Sequence, residues 1–188
     1  MNIVSSAFGH YEAIGDPMTA DCLLGHSFGR TPEEGGVNQT LATMMIDQQA
    51  RLEDMSGVTV PIMADVTLID ACRDSNYGSP YLVIMGESDE ISNTLGTKGG
   101  TWDILVAQQQ YMQENDLIRP AMYGHACHIG RVARQAKKVP GMPEMIIPEG
   151  LPRHFDASSE QPHTRSLMRF APREIIGSLV VLRAKGQL

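Results

Sequence analysis

The chain has 188 residues, of which 42% are hydrophobic and 20% charged, and its formal net charge is −7. This composition is typical of a globular domain and argues against an intrinsically disordered chain. The acidic balance disfavours non-specific nucleic-acid binding, which needs clustered Lys and Arg side chains. No apolar run approaches the roughly 20 residues that span a bilayer, and the first residues lack a signal-peptide pattern. We therefore expect one cytoplasmic domain over residues 1–188, with residues 1–20 unassigned.

The first predicted strand covers residues 21–24 and continues into a glycine-rich loop over residues 25–36. This loop lacks the glycine spacing of a dinucleotide fingerprint and the Lys of a phosphate-binding P-loop. Apolar residues at helical spacing then predict a long helix over about residues 38–55, with Asn38 as its cap and Gly57 at its end. A strand, a turn and a helix in this order are typical of an α/β unit.

The second predicted strand lies within residues 58–66, where Pro61 indicates an edge position or a bulge. A short helix over residues 67–73 follows it. The continuous apolar run over residues 80–87 predicts a third strand that is covered on both faces. The polar, glycine-rich segment after that strand carries no packing signal, and long loops of this kind are often functional.

Thr101 opens the next predicted helix as its cap, and Asp103 is favourable in the first turn. Residues 120–138 read as a buried strand that turns through two histidines directly into a helix. A fifth strand is predicted at residues 144–147. The final helix has Pro172 in its first turn and an apolar face that docks on the sheet.

Strands that alternate with helices predict a three-layer, Rossmann-like α/β fold, with a mainly parallel sheet of about five strands and helices on both faces. In such sheets ligands bind beyond the carboxyl ends of the strands, where the strand order reverses. The polar residues predicted at those ends form the candidate ligand-binding site: Gly25, His26, Ser27, Glu87, Ser88, Thr101, Asp103, His125, His128 and Arg131.

His128 and Arg131 are the two residues of this set with the strongest chemical signal. They are three residues apart in the first turn of a helix, where the dipole and free N–H groups favour an anion. An imidazole titrates near neutrality, so His128 is a candidate acid or base. Glu87 is the second candidate catalytic group, because its carboxylate could orient ribose hydroxyls or the imidazole.

Cys22, Cys72 and Cys127 are widely spaced and form no CxxC pair. They favour reduced thiols over disulfides. Cys127 lies between His125 and His128, but a zinc site needs three or four convergent ligands, so we assign no metal and interpret Cys127 as a small buried residue.

Five short motifs occur in a fixed order along the chain: Leu23-Leu24-Gly25, Glu87-Ser88, Thr101 with Asp103, the His128–Arg131 segment, and Arg173-Glu174. In this order they resemble the motifs of the YdcF/SanA/ElyC family, a bacterial Rossmann-like domain of poorly defined function. Ala64-Asp65 stands where that family usually has a glycine-rich strand end. The resemblance implies the soluble branch of the family, for which binding of S-adenosylmethionine has been proposed.

Three functions are compatible with these observations. The first is a protein or enzyme that binds a small anionic or nucleotide-like molecule, with S-adenosylmethionine or another nucleotide as its cofactor. The second is a non-catalytic regulatory or envelope-related protein that acts through a partner. The third is hydrolysis of a phosphate or acyl ester with His128 as the base, for which no G-x-S-x-G nucleophile motif is present. The sequence leaves the substrate, the reaction and the protein partner open.

Overall fold

The structure of the chain is a computed structural model, which describes residues 5, 7–29, 36–74, 82–84 and 100–184. Within these residues the fold is α/β and is built around one parallel sheet. The strands are β1 (Cys22–Gly25), β2 (Ile62–Ala64), β3 (Leu82–Ile84) and β4 (Pro120–Tyr123). The helices are α1 (Val37–Ser56), α2 (Val66–Asp74), α3 (Thr101–Glu114), α4 (Ala126–Ala136) and α5 (Leu167–Ala184).

The strand order is β3-β2-β1-β4, and all three pairings are parallel. The chain moves outward from β1 through β2 to β3 and then returns to place β4 on the other side of β1. The order reverses between β1 and β4, and in open α/β sheets the crevice beyond the strand ends at this position is where ligands bind.

Every residue of β1, β2 and β4 is buried, as continuous apolar runs in a parallel sheet require. The core includes fully buried side chains from these strands and from the helices that cover them, among them Leu23, Met63, Met122, Leu41 and Leu105. α1 packs on α2 and β1, whereas α3 packs on α4 and α4 on α5. In the described part of the chain, no helix has both the length and the apolar character to cross a membrane.

Four predictions about element ends and positions are wrong, two of them about helix caps. Asn38 does not cap α1, because the helix begins at Val37 after Gly36, and the Asn38 side chain instead binds the loop after β1. Thr101 does not cap α3, because it is the first residue of that helix and Gly100 is the cap.

Of the two interpretations of Pro61, an edge position or a bulge, the edge position is wrong, because β2 lies between two other strands. Pro61 precedes β2, so the N–H group that proline lacks removes no hydrogen bond from the sheet. The Pro61 carbonyl still accepts a hydrogen bond from Leu23 N–H.

The predicted start of α5 is also wrong, since the helix begins at Leu167 and Pro172 lies inside it. The fifth predicted strand, over residues 144–147, is reduced to a parallel bridge between Ala121 and Ile146. Ile147 pairs instead with Ile14 of the N-terminal segment in an antiparallel bridge. This pairing places a short section of residues 1–20 beside the sheet. The predicted third strand is described only over Leu82–Ile84.

Gly25 ends β1 at a point where the neighbouring elements leave no room for a side chain. A Cβ atom there would lie 2.5 Å from Leu68 Cδ2 and 2.8 Å from Ala64 Cβ. We therefore expect Gly25→Ala to lower the free energy of unfolding by roughly 1–3 kcal/mol, the usual cost of overpacking a core. Urea denaturation measures this change. Gly124→Ala is the control, because a Cβ atom at Gly124 would have the flexible end of the Ile129 side chain, Cδ1, as its nearest neighbour at 3.3 Å. An equal loss of unfolding free energy in both variants would contradict the packing argument.

Candidate functional site

A cavity of about 400 Å³ lies beyond the carboxyl ends of the strands. Five of the predicted ligand-binding residues line it: His26, Ser27, Thr101, His128 and Arg131. His26 and Ser27 directly follow β1, Thr101 begins α3, and the last two lie on α4. These residues come from three separated parts of the chain, and the sheet brings them together as predicted for strand ends that share one edge.

The other predicted residues do not line this cavity or cannot be placed. Gly25 serves the packing between β1 and α2. Asp103 is exposed, and its side chain accepts a hydrogen bond from Gly100 N–H at the start of α3. His125 is fully buried behind the cavity wall. Glu87 and Ser88 lie outside the described residues.

A buried ion pair between α4 and α5 forms the inner wall of the site. Arg131 Nε donates to Glu174 Oε1 at 2.8 Å, and Glu174 is only 3% exposed. Arg131 Nη2 lies 3.0 Å from His128 Nδ1, and Nη1 lies 3.5 Å from Thr101 Oγ1. His128 Nδ1 also lies 3.6 Å from Glu174 Oε2. Because the guanidinium can only donate and the Arg131 contact is the shorter of the two, we assign Nδ1 as the acceptor, which leaves the proton of the neutral ring on Nε2.

Counting donors shows what Arg131 can still bind. A guanidinium has five N–H groups, and three of them point at Glu174, Thr101 and His128. Two N–H groups remain, one on each terminal nitrogen, without an acceptor among the described residues. Each terminal nitrogen thus keeps one N–H group that can donate to an oxygen of a phosphate or carboxylate.

The protonation of this cluster follows from burial and from the Arg131 charge. Burial lowers the pKa of His128, and the Arg131 cation lowers it further against the opposing effect of Glu174. Burial alone would raise the pKa of Glu174, but His128 and Arg131 reverse that effect and the net pKa is lowered. At neutral pH the cluster therefore holds a carboxylate, a guanidinium and a neutral imidazole.

A second Arg–His pair lies at the outer part of the same cavity. His163, in a 3-10 turn over Pro162–Thr164, and Arg173, on α5, both line it. Arg173 Nη1 lies 3.3 Å from His163 Nδ1. Burial lowers the pKa of His163, and Arg173 and then His128 lower it further, against Glu174, which raises it.

His26 is almost completely buried, with 2% of its surface exposed, and it forms part of the cavity floor. Its backbone N–H donates to Tyr123 O at 3.0 Å, which joins the ends of β1 and β4. Burial lowers the pKa of its ring to about 3, and His128 in its protonated form and the Arg131 cation act in the same direction. Gln108 is close enough to oppose this shift, although neither His26 Nε2 nor Gln108 Oε1 has a partner at hydrogen-bond distance in the described part of the chain.

His125 has a structural position although the sequence predicts it as a ligand contact. Its Nδ1 accepts from Cys127 N–H at 3.2 Å and thereby caps α4, and its Nε2 lies 3.0 Å from the His154 carbonyl. The ring stacks on Phe28 with 3.8 Å between ring centroids. Burial lowers its pKa to about 4, against the bond to His154. Both ring nitrogens are thus used within the protein.

Aromatic side chains form the apolar wall of the cavity. Phe28 and Phe170 both line it, and their rings meet edge to face at 4.8 Å. Phe28 is held in place from behind by the stacked His125 ring, while Asn38 Oδ1 accepts from its backbone N–H at 2.8 Å. The cavity therefore has one charged wall and one aromatic wall.

Asp65 and Glu174 are site residues that the sequence did not identify as such. Asp65 directly follows β2 and accepts hydrogen bonds from Ser27 N–H at 2.9 Å and from Leu68 N–H at 3.3 Å. Its position after a buried strand is the same signal that identified His26, and this signal could have found it. The family resemblance includes Arg173-Glu174 as a motif but assigns neither residue to the site, and no local pattern distinguishes His163 from an ordinary surface residue.

Cys127 is a buried residue, as predicted. The residue is 3% exposed, and burial raises the pKa of its thiol to about 11, with Glu174 acting in the same direction and Arg153 opposing it. Within the described ranges, no three His, Cys, Asp or Glu side chains converge as metal ligands.

No protein-family model matches the chain, and no curated protein and no solved structure is significantly similar to it. The resemblance to the YdcF/SanA/ElyC motifs stays a prediction. The functional argument therefore depends on the geometry of the cavity.

The buried histidines predict a loss of stability in acid. His26 and His125 have pKa values of about 3 and about 4 in the folded chain, below the ordinary value of about 6.5 that they regain on unfolding. The unfolded chain thus binds more protons between pH 6.5 and 4, and each such histidine lowers the free energy of unfolding by up to about 1.4 kcal/mol per pH unit as the pH falls.

Urea denaturation across this pH range tests the assignment. The slope of stability against pH should be shallower in His26→Phe than in the wild type, because the variant has no proton to gain at that position. His10→Gln, a change of an exposed histidine, is the control and should keep the wild-type slope. An unchanged slope in His26→Phe would contradict the assignment.

The Arg131–Glu174 pair predicts a large difference between two ion-pair mutations. Glu174→Ala leaves Arg131 without its carboxylate in a largely buried position and should cost roughly 3 kcal/mol of unfolding free energy. The exposed pair of Asp70 and Arg73 is the matched control, with side chains 58% and 55% exposed. Asp70→Ala should change stability by no more than about 0.5 kcal/mol. Chemical denaturation of both variants measures the difference, and equal effects would contradict the inner-wall assignment.

Proposed function

We propose that this chain binds a small molecule with an anionic, phosphate-like group, which is held at Arg131 and His128. The observation that carries the proposal is the pair of Arg131 N–H groups that remain after Glu174, Thr101 and His128 are satisfied. Charged N–H donors of this kind suit the oxygens of a phosphate or carboxylate. The cavity also receives the N-terminus of α3, where the helix dipole favours negative charge.

A nucleotide-like ligand is one class to test within this proposal, because the cavity has apolar as well as charged lining. Phe28 and Phe170 line it together with Arg131, although each aromatic side chain is only 4% exposed and offers a planar ring little contact area. A volume of about 400 Å³ is within the range of small-molecule sites. S-adenosylmethionine and other nucleotides are therefore the first ligands to test. A site beyond the strand ends is compatible with the proposed three-layer, Rossmann-like arrangement, in which right-handed crossovers would put α1 and α2 on the opposite face of the sheet from α3.

For His128 the geometry favours hydrogen-bond donation over action as a base. Its Nδ1 lone pair faces the Arg131 guanidinium at 3.0 Å, so the neutral ring presents an N–H group at Nε2. An N–H group can donate to an anionic oxygen, or give its proton to a leaving group. This arrangement supports ester hydrolysis with His128 as the base less well than it supports anion binding.

Ligand-dependent stabilisation tests the proposal. Thermal unfolding of the full chain should shift upward with inorganic phosphate, adenosine monophosphate or S-adenosylmethionine, and a ligand at about 100 times its dissociation constant should add roughly 2.7 kcal/mol. Isothermal titration calorimetry on Arg131→Gln should then show at least a 10-fold weaker binding of the same ligand, since a charged hydrogen bond is worth roughly 1.5–3 kcal/mol.

Arg119→Gln is the matched control for this experiment. Arg119 is exposed and lies just before β4, at the opposite edge of the sheet from the cavity. The same change of charge there should leave the affinity unchanged. Absence of a shift with all three ligands, or wild-type affinity in Arg131→Gln, would overturn the proposed site.

A further inference from the structure

The two Arg–His pairs of the cavity repeat one arrangement. In each pair a terminal nitrogen of the guanidinium faces the Nδ1 atom of the imidazole, at 3.0 Å for Arg131 and His128 and at 3.3 Å for Arg173 and His163. Because a guanidinium has no acceptor, both imidazoles accept at Nδ1 and keep a proton on Nε2. Each pair thus combines a permanent cation with a neutral N–H donor.

The pairs belong to different elements and lie at different depths. Arg131 and His128 are on α4, and His128 is 7% exposed. Arg173 is exposed on α5, and His163 is half-buried in the 3-10 turn before that helix. All four residues line the same cavity. The inner pair and the outer pair are therefore two separate donor sets that a single ligand can reach together.

Their counter-charges also differ. Arg131 is paired with the buried Glu174 carboxylate, which compensates the inner charge. Among the described residues, no carboxylate lies within salt-bridge distance of Arg173. The outer pair thus keeps an uncompensated positive charge, while the inner pair keeps two directed N–H groups on Arg131. A ligand with a single negative charge, bound at the inner pair, would leave Arg173 without an anionic partner.

We infer that the ligand carries two anionic groups, one bound at Arg131 and His128 and the other at Arg173 and His163. The chemical class is a compound with two phosphate groups, as in a diphosphate or a bisphosphate ester. This inference rests on the proposed function, because it names the second contact of the same ligand. It gives the outer pair, which was not among the predicted site residues, a specific role in recognition.

The test compares three probes by isothermal titration calorimetry on the full chain at constant ionic strength: inorganic phosphate, pyrophosphate and propane-1,3-diol bisphosphate. Phosphate reports on one anion site, and the two longer probes cover different separations between their phosphates. At least one of them should bind roughly 10-fold or more tightly than phosphate, because the second group gains a charged hydrogen bond within the same complex.

Two variants of the outer pair test whether the tighter binding of the longer probes depends on Arg173 and His163. Arg173→Gln and His163→Gln change exposed or half-buried positions, so the fold should be retained. Both should bring the bisphosphate affinity down to that of phosphate and leave phosphate affinity within about 2-fold of the wild type, since a surface change far from a bound group has little effect. Arg169→Gln, an exposed charge on the same helix outside the cavity lining, is the control and should keep the full gain.

The outcomes separate the two proposals. If phosphate binds but neither longer probe binds more tightly, the inference of a second anion is overturned and the proposed anion site stands. The inference is equally overturned if Arg173→Gln weakens phosphate and bisphosphate by the same factor, because one anion would then contact both pairs. If none of the three probes binds, the proposed function fails and the second anion fails with it.

Discussion

The parallel pairing of β1 with β4 is the constraint on which the rest of the site depends. Cys22–Gly25 and Pro120–Tyr123 pair residue by residue, and the hydrogen bond from His26 N–H to Tyr123 O extends the contact past the end of the strand. After β1 the chain continues to β2, which lies on one side of β1, whereas β4 lies on the other side. The segments that follow β1 and β4 therefore diverge and leave a crevice between them. Both strands are fully buried, which gives this crevice a rigid floor.

Two carboxylates then orient the donors around the crevice. Asp65 accepts from the backbone N–H groups of Ser27 and Leu68, which ties the loop after β1 to the start of α2. Glu174 accepts from Arg131 and ties α5 to α4. An ionised carboxylate can only accept hydrogen bonds. Both carboxylates accept theirs from donors of the protein itself. Among the described residues of the site, the donors that still lack a protein acceptor include guanidinium N–H groups and the Nε2–H groups of His128 and His163.

Local patterns predicted the strands, the helices and the positions of His128 and Arg131, because burial in a parallel sheet and three-residue spacing on a helix are properties of short segments. They ranked His128 above His125 but included both as ligand contacts. His125 turns away from the cavity and stacks on Phe28, a contact between distant parts of the chain. Glu174, His163 and Arg173 were not predicted as site residues, although Arg173-Glu174 is one of the motifs of the family resemblance, since the packing of α5 on α4 brings them to the site.

The positions of the two arginines also explain why the imidazoles of His128 and His163 are neutral. His128 and His163 each lie beside a guanidinium, and burial together with that charge lowers the pKa of both rings. A neutral ring donates one hydrogen bond without adding a second cation to a crowded, partly desolvated space, where like charges repel strongly. A bound anion would act on these rings in the opposite sense to the guanidinium and raise their pKa. Binding of an anion in the cavity would therefore change the protonation of His128 and His163. The short distances between each imidazole and its guanidinium, which also determine the tautomers, are the reason.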